Sequence, residues 1–192
     1  MRILDLFAGT GSSTKAFEDY GCEVIKVELD EQFPAHERDV RKLNAYYLTQ
    51  KYGYFDFTWA SPPCTTFSVA SIGKHWNPDR TPKTQAAKDA IELIEHTLIL
   101  ILSLQPRVGW LIENPRGMLR TIPMMQQLEH RQVTYCQYGD TRMKPTDLWG
   151  YVPQWTALPP CKNGDDCHEA APRGSRTGTQ GLKNATVRSM VP

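Results

Sequence analysis

Apolar positions along the chain fall into short continuous runs and into one long stretch of helical period. The runs, bounded by turn residues, predict buried strands at residues 2–7, 23–27, 55–60, 108–112 and 132–136. Between residues 84 and 104 the apolar positions recur every three or four residues, which predicts an amphipathic helix, and they are Ala87, Ile91, Ile94, Leu98 and Ile101. Residues 13–19 and, despite Pro123, residues 118–128 also favour helix. Strands that alternate with helices predict an α/β fold with a mostly parallel sheet covered by helices on both faces.

Two segments lack either pattern and are predicted to be loops. Residues 65–83 carry Gly73, Pro78 and Pro82, and a loop of this length in a compact domain is typical of a functional lid. The second loop, residues 159–181, is rich in Gly, Pro, Ser and Thr. We therefore divide the chain into a principal domain over residues 1–158 and a short, loop-rich C-terminal segment over residues 159–192.

The conspicuous polar motifs all follow predicted strands, at the edge where parallel sheets bind ligands. The first is the glycine-rich turn DLFAGTG at residues 5–11, which leads into a helix. Glycines allow close approach of a ligand to the backbone, and free N–H groups at a helix start attract anions. Glu28 ends the second strand, where a carboxylate can accept hydrogen bonds from ribose hydroxyls. Together they indicate a site for a nucleoside-type ligand.

Two further motifs bring a thiol and an acid to the same edge. Cys64 follows Pro62 and Pro63, which restrict its direction, so it is either a positioned nucleophile or a small buried apolar residue. Glu113, followed by Asn114, ends another buried strand, where burial would raise the pKa of its carboxyl group. A thiol and a nearby acid form a workable pair for attack on an electron-poor ring.

Composition narrows the class of protein. The 192 residues are 40% apolar and 22% charged with a net charge of +1, as expected of one soluble domain that neither requires nor excludes a nucleic-acid partner. The longest apolar run, residues 98–102, is far too short to cross a membrane. A strand follows directly after the N-terminal residue without a signal peptide, and the five cysteines are scattered, so we expect a cytoplasmic location, in a prokaryotic or phage-infected cell.

In this order and spacing, the motifs resemble those of the DNA cytosine-C5 methyltransferase family over roughly residues 2–150. The matching segments are residues 5–11, Pro62–Cys64, Glu113–Pro115, and Tyr138–Gly139 followed by Arg142 and Lys144. The resemblance implies a Rossmann-like fold, S-adenosylmethionine as the cofactor with S-adenosylhomocysteine as its product, and DNA as the substrate. It points to a small, phage-like member without the family's large target-recognition domain.

The same resemblance assigns roles to individual residues. Cys64 would attack carbon 6 of cytosine, Glu113 would hydrogen-bond or protonate N3, Asn114 would fix the turn, and Arg142 would stabilise the ring oxygen or the nucleophile. Phe7 would pack on the adenine of the cofactor. The implied cofactor-binding residues are Phe7, Ala8, Gly9, Thr10, Gly11, Ser12, Glu28, Leu29, Asp39, Val40 and Pro62.

Contacts to DNA are expected mainly from the loop at residues 65–83 and from the C-terminal segment. The target base must leave the helix stack to reach Cys64. The expected DNA-binding residues are Ser68, Lys74, His75, Trp76, Arg80, Lys144, Arg173 and Arg176. A solvated loop with one half-buried tryptophan is the alternative for residues 65–83. So short a chain would read few bases, which leaves room for a partner protein or a homo-oligomer in recognition.

Two questions stay open at the level of sequence. Cys161, Cys167 and His168 raise the question of a zinc site, but their spacing is unusual and a fourth ligand is not evident, so we assign no metal. The alternative functions are an RNA cytosine-C5 or nucleotide methyltransferase, an exocyclic-amine methyltransferase, and a non-catalytic DNA-binding relative. An exocyclic-amine enzyme would need an aromatic residue in place of Cys64.

Overall fold

The computed structural model describes residues 1–170 and 185–192, which form one sheet of six strands in the order β2-β1-β3-β4-β6-β5. The strands are β1 (Arg2–Leu6), β2 (Glu23–Val27), β3 (Phe57–Ala60), β4 (Gly109–Pro115), β5 (His130–Thr134) and β6 (Pro145–Tyr151). Strands β2, β1, β3 and β4 are parallel, and β6 runs antiparallel to both β4 and β5. The predicted mostly parallel α/β architecture is confirmed, with β6 as a strand that the pattern did not predict.

Six α-helices lie within the described residues. They are α1 (Lys15–Asp19), α2 (Ala45–Tyr52), α3 (Ile72–His75), α4 (Gln85–Leu104), α5 (Pro123–Gln126) and α6 (Ala185–Ser189). Two of them, α2 and α4, begin directly after a residue whose side chain caps the helix. Thr84 caps α4 by accepting a hydrogen bond from Ala87 N at 3.3 Å. Gln105 ends that helix in a left-handed conformation with φ 49°. The prediction for residues 84–104 is therefore confirmed, whereas α2, which buries only Leu48, was not predicted.

The helix predicted at residues 118–128 is wrong as a continuous element. A 3-10 turn covers Met118–Thr121, and α5 begins anew with Pro123 at its first position. Proline has no N–H to donate and disfavours helical backbone in the preceding residue, and Ile122 is extended with ψ 127°. The fifth strand begins two residues earlier than predicted, and the chain then forms a 3-10 turn over Tyr135–Tyr138.

The core has two layers because neighbouring residues on a strand face opposite sides of the sheet. One layer joins α2 and α4 to the strand residues Leu4, Leu6, Ile25, Val27, Ile112 and Trp149. The other joins Phe17 of α1 and the segment at residues 152–157 to Ile3, Val24, Phe57, Leu111, Val133 and Leu148. Each of these buried side chains contributes about 1.5–3 kcal/mol relative to exposure.

No helix in the described ranges combines the length and the apolar character that a membrane crossing requires.

Candidate active site

The glycine-rich turn after β1 is tied directly to the tip of β2. Gly9 and Gly11 have φ values of 50° and 75°, which favour glycine, and Phe7 also takes a positive φ of 63°. The N–H of Gly9 donates to Oε2 of Glu28 at 2.8 Å, and Oε1 of Glu28 accepts from Asp30 N at 2.9 Å. Glu28 therefore joins the two strand ends that were expected to bind a nucleoside.

Asp5 supports this turn from beneath. The Thr14 hydroxyl donates to Oδ2 of Asp5 at 2.6 Å, and the Ser13 hydroxyl lies 3.2 Å from the same oxygen. Burial raises the pKa of Asp5 to about 6, against the opposing effect of these hydrogen bonds. The carboxyl group thus holds the chain between the glycine-rich turn and α1.

Asp39 and Val40 lie at the rim, as expected, but both have internal partners. The Asp39 carboxylate accepts hydrogen bonds from the N–H of Arg41 at 3.1 Å and from its Nε at 3.0 Å. The Arg41 side chain is the main reason that the pKa of Asp39 lies below its ordinary value. Val40 is buried, and its carbonyl oxygen lies 2.9 Å from Nε2 of His96.

A single cavity of about 540 Å³ connects the glycine-rich turn to the predicted nucleophile. Its walls include Cys64, Glu113, Lys144 and nearly all the predicted cofactor-binding residues, namely Phe7, Ala8, Gly9, Thr10, Ser12, Glu28, Leu29, Asp39, Val40 and Pro62. Gly11 is buried behind this wall. The volume lies within the range of small-molecule sites.

Asn114 links the turn of the nucleophile to the strand of the acid. Its Nδ2 donates to the carbonyl oxygen of Pro62 at 2.9 Å, which agrees with the role expected for Asn114. Behind this link, a Cβ on Gly117 would lie 2.2 Å from the Phe67 carbonyl oxygen, so the backbone after Cys64 passes too close for any other residue. Both contacts bring Cys64 and Glu113 to the same pocket.

Glu113 is buried, with only 5% of its surface exposed, and has one hydrogen-bond donor that the sequence analysis missed. The Tyr135 hydroxyl donates to Oε1 of Glu113 at 2.9 Å. No local pattern marks Tyr135, because it follows β5 and reaches Glu113 only through the pairing of β5 with β6 and of β6 with β4.

Burial dominates the electrostatics of the thiol, the acid and the neighbouring lysine. It raises the pKa of Glu113, while Lys144 and the Tyr135 hydrogen bond oppose the rise. It also raises the pKa of the Cys64 thiol, again opposed by Lys144, and it lowers the pKa of Lys144. The charges of Cys64, Glu113 and Lys144 act on one another: Lys144 lowers the pKa of both Cys64 and Glu113, and Glu113 raises the pKa of Cys64 and of Lys144.

Of the two cations predicted after Tyr138–Gly139, Lys144 lines the cavity and Arg142 does not. Arg142 is 6% exposed and does not line the cavity, because its guanidinium binds Asp140 and the carbonyl oxygens of Val187, Arg188 and Met190. The Arg142 guanidinium is thus engaged by other parts of the chain rather than exposed to the cavity. Lys144, expected on DNA, instead lines the cavity with its Nζ 3.4 Å from the Tyr135 hydroxyl. Local spacing could not distinguish the two.

The end of the chain returns to the cavity, which the sequence analysis did not foresee. The N–H of Val191 donates to the Ser12 hydroxyl at 2.9 Å, and Ser189 and Val191 form part of the cavity wall. The Arg142 contacts hold the same segment in place. The described parts of residues 159–192 therefore pack on the principal domain.

The predicted DNA-binding residues separate into exposed and buried sets. Lys74 and Arg80 are exposed and Ser68 is half-buried. His75 and Trp76 were placed wrongly on the surface, since they are only 9% and 3% exposed and bind Thr84 Oγ1 and the Thr66 carbonyl oxygen, both at 2.7 Å. They anchor the segment at residues 65–83, which also contains α3. Arg173 and Arg176 lie outside the described residues.

Arg116 is an exposed cation that the sequence analysis missed. It follows the motif Glu113–Pro115 directly, and its N–H donates to the Pro145 carbonyl oxygen at 3.0 Å. Its position directly after the motif Glu113–Pro115 was the one feature of the sequence that could have indicated a cation near the site.

A mostly parallel sheet with a glycine-rich turn, an acidic strand tip and a thiol–acid pocket at one edge defines a Rossmann-like methyltransferase of the S-adenosylmethionine-dependent class. The sequence profile of the family described as C-5 cytosine-specific DNA methylase matches residues 1–122. A "Probable DNA (cytosine-5)-methyltransferase" of Frog virus 3 (isolate Goorha) is 33% identical over 168 residues, which cover 82% of this chain and 75% of that protein. The chain therefore belongs to the C-5 cytosine-specific DNA methylase family.

Solved structures agree on the fold. The Entamoeba histolytica methyltransferase EhMeth matches with a TM-score of 0.57 at 12% identity, covering 84% of this chain and 57% of that one. A variant of Spodoptera frugiperda DNMT2 matches with a TM-score of 0.51 at 16% identity, covering 81% and 51%. At such identities the likeness shows the fold alone, and this chain spans little more than half of each structure.

Proposed function

We propose that this protein transfers a methyl group from S-adenosylmethionine to carbon 5 of cytosine in DNA through a covalent adduct with Cys64. The observation that carries the proposal is the shared cavity, whose walls hold the nucleoside-type site at one end and Cys64 with Glu113 at the other. Membership of the C-5 cytosine-specific DNA methylase family supports the choice of base and of atom.

The residues at the β1 end fit S-adenosylmethionine. Glu28 offers carboxylate oxygens to ribose hydroxyls, Phe7 offers an apolar wall for the adenine, and the turn at residues 9–12 offers room and backbone N–H groups for the methionine carboxylate. The volume of about 540 Å³ suits such a ligand together with a flipped base. When bound, S-adenosylmethionine supplies an electrophilic methyl group.

The chemistry of this chain's residues follows from the arrangement of Cys64, Glu113 and Tyr135. The Cys64 thiolate adds to carbon 6 of cytosine, and Glu113 donates a hydrogen bond or a proton to N3 as electron density moves toward carbon 5. Carbon 5 then takes the methyl group, which leaves S-adenosylhomocysteine as the product. Loss of the proton from carbon 5 to water and expulsion of the Cys64 thiolate restore the aromatic ring, and the proton at N3 returns to Glu113. The raised pKa of Glu113 favours its proton-donating form.

Lys144 supplies the positive charge that the resemblance assigned to Arg142. Its charge opposes the rise in the pKa values of both Cys64 and Glu113, so it favours the attacking thiolate. A buried cation beside the ring also stabilises charge that develops in the transition state. Arg142 then acts on the shape of the site by holding the C-terminal segment.

We expect binding to DNA to depend on exposed cations and on extrusion of the target base. Lys74 and Arg80 lie on the segment at residues 65–83, and Arg116 follows the acid motif. Phosphate contacts of this kind give affinity that falls steeply with salt but carry little sequence information. With so few side chains to read base edges, a target of about two to four bases follows, unless a partner protein or a second copy adds contacts.

The decisive experiment incubates the protein with methyl-labelled S-adenosylmethionine and separate pools of DNA, RNA and free nucleotides, followed by nucleoside analysis. We expect 5-methylcytosine in DNA alone, and no label with Cys64→Ser. Label in RNA or nucleotides would show that DNA is not the substrate, and label on an exocyclic amine would refute the mechanism through a Cys64 adduct. Absence of label from every pool, with intact binding of DNA, would identify a non-catalytic relative.

A further inference from the structure

A cluster of four metal-binding side chains lies outside the catalytic cavity. Cys136 belongs to the 3-10 turn after β5, whereas Cys161, Cys167 and His168 belong to the C-terminal segment. Their three sulfur atoms and the histidine nitrogen all lie within 4.8 Å of one another. We propose that these residues bind one structural Zn²⁺ ion as a Cys₃His site, a role that the catalytic mechanism above does not require.

The spacing of the ligand atoms matches a tetrahedral zinc site. The distance from Cys167 Sγ to Cys136 Sγ is 3.7 Å, and His168 Nδ1 lies 3.6 Å from Cys161 Sγ and 3.7 Å from Cys167 Sγ. Zn–S bonds of about 2.3 Å and Zn–N bonds of about 2.0–2.1 Å place tetrahedral ligand atoms about 3.5–3.8 Å apart. The sulfur atoms of Cys136 and Cys161 are 3.1 Å apart and would separate slightly around the ion. The other two pairs of ligand atoms lie within 4.8 Å.

A disulfide bond explains the cluster less well. The sulfur atoms of Cys136 and Cys161 lie at 3.1 Å, well beyond the bond length of about 2.05 Å. A disulfide between Cys136 and Cys161 would also not explain why the side chains of Cys167 and His168 lie in the same cluster. Four protein ligands with no open position are typical of a structural zinc site.

The surroundings of the cluster supply the supporting contacts that metal sites in proteins usually have. Gln137 Nε2 donates to Cys167 Sγ at 3.6 Å, and the N–H of Cys161 donates to the Thr134 hydroxyl at 2.9 Å. Cys161 is buried and Cys136 is half-buried, so solvent reaches these two thiolates only in part. Such contacts fix the ligands before the ion binds.

The ion would join two parts of the chain next to the active site. Cys136 follows Tyr135, whose hydroxyl donates to the carboxylate of Glu113. The next proposed ligand, Cys161, is 25 positions further along the same chain, in the C-terminal segment. Zinc would therefore fasten the C-terminal segment to the turn that carries the hydrogen-bond donor of the acid. Cys136 is also the fourth ligand that could not be found from the sequence for Cys161, Cys167 and His168.

Metal analysis of the purified full chain tests the proposal. By inductively coupled plasma mass spectrometry we expect about one zinc per chain, and a fall to about a tenth of that or less in variants that remove a ligand. These variants are Cys136→Ser, Cys161→Ser, Cys167→Ser and His168→Asn. Cys22→Ser is the matched control, since Cys22 precedes the strand at the opposite edge of the sheet, and it should retain zinc.

Cobalt substitution of the wild-type chain keeps the test valid even if a variant fails to fold. Co²⁺ in a tetrahedral thiolate site gives intense visible bands and a sulfur-to-cobalt charge-transfer band, and one equivalent of Zn²⁺ should remove both. A chain that takes up neither Zn²⁺ nor Co²⁺ when folded would overturn the proposal. So would an intact mass 2 Da lower without reductant, which would indicate a disulfide, or iron in place of zinc. None of these readouts depends on methyl transfer.

Discussion

The two ends of the cavity are built in different ways. At the end proposed for the cofactor (the cofactor end), Glu28 and Asp39 accept hydrogen bonds from backbone N–H groups close by in the chain or across one strand pair, and both are half-buried. At the end proposed for the cytosine (the base end), Cys64, Glu113 and Lys144 are largely enclosed and come from three separate segments. Burial therefore shifts the pKa values of all three residues at the base end.

The difference indicates a division of labour. Polar groups that are satisfied by local turns and open to water suit tight but unreactive binding of a cofactor. Buried and mutually charged groups suit a reaction, because each change of proton or substrate is felt by the others in a medium of low dielectric. Substitutions at the base end should thus change the rate, and those at the cofactor end should change affinity.

Cys64→Ser should give the largest effect. Methyl transfer should fall by at least about a thousandfold, because a hydroxyl is far less nucleophilic than a thiolate near neutral pH. Affinity for S-adenosylmethionine, measured by titration calorimetry, should change by less than about twofold. Wild-type turnover in this variant would refute the covalent mechanism and the division between the two ends.

Glu113→Gln should lower the turnover number by about a hundredfold or more, since general acids act mainly in the transition state. The same substitution should increase the stability of the folded state at higher pH. The pKa of Glu113 is raised above the usual 4.5, so the folded state favours the neutral form and loses stability as pH rises above that value. The neutral amide avoids this loss.

Thermal unfolding across pH separates the two consequences of Glu113→Gln. The melting temperature of the variant relative to wild type should increase as the pH rises above about 4.5. Unchanged turnover together with a lower melting temperature would make Glu113 a structural residue.

Tyr135→Phe should lower the rate by about tenfold to a hundredfold, because one hydrogen bond to a charged group contributes roughly 1.5–3 kcal/mol. The Tyr135 hydroxyl lowers the pKa of Glu113, so its removal should raise that pKa further. The alkaline limb of the pH–rate profile, where Glu113 loses its proton, should then move to higher pH. Tyr138→Phe is the control, since its hydroxyl contacts Leu158 N at 2.9 Å instead; an identical profile shift there would contradict the assignment.

Glu28→Gln should give the smallest effect on catalysis. Loss of a charged acceptor for the ribose hydroxyls should weaken binding of S-adenosylmethionine by about tenfold, with the turnover number at saturation nearly unchanged. Glu31→Gln, an exposed acid in the same loop, should bind the cofactor like wild type. A Glu28→Gln variant with lower turnover and unaltered affinity would show that the two ends are not separate in function.

Features that depend on neighbours in the chain could be predicted from sequence. The turn at residues 5–11, the Thr84 cap, the period of α4 and the parallel strands follow from backbone preferences and from apolar spacing over short windows. The residues predicted to bind the cofactor, apart from Gly11, accordingly line one cavity. The sequence also singled out Cys64 and Glu113, because each belongs to a short proline-containing motif at the end of a predicted strand.

Features that depend on sheet order could not be predicted in this way. Strand β6 lies between β4 and β5, and only this order brings Tyr135 to Glu113. Arg142 and Lys144 differ by two positions, yet Arg142 is held by Asp140 and three carbonyl oxygens of the C-terminal segment, whereas Lys144 lines the cavity. Burial likewise reverses the expectation for Trp76, whose indole N–H finds a carbonyl within its own segment.

The four-ligand cluster shows the same limit most plainly. By itself the sequence determined that Cys161, Cys167 and His168 lie close together, because few residues separate them. The fourth side chain, Cys136, meets them only because the segment after β6 folds back along the turn that follows β5, where the Cys161 N–H binds Thr134. Spacing along the chain sets the distance between near neighbours, whereas the distance between remote residues is decided by strand order and by the packing of the connecting segments.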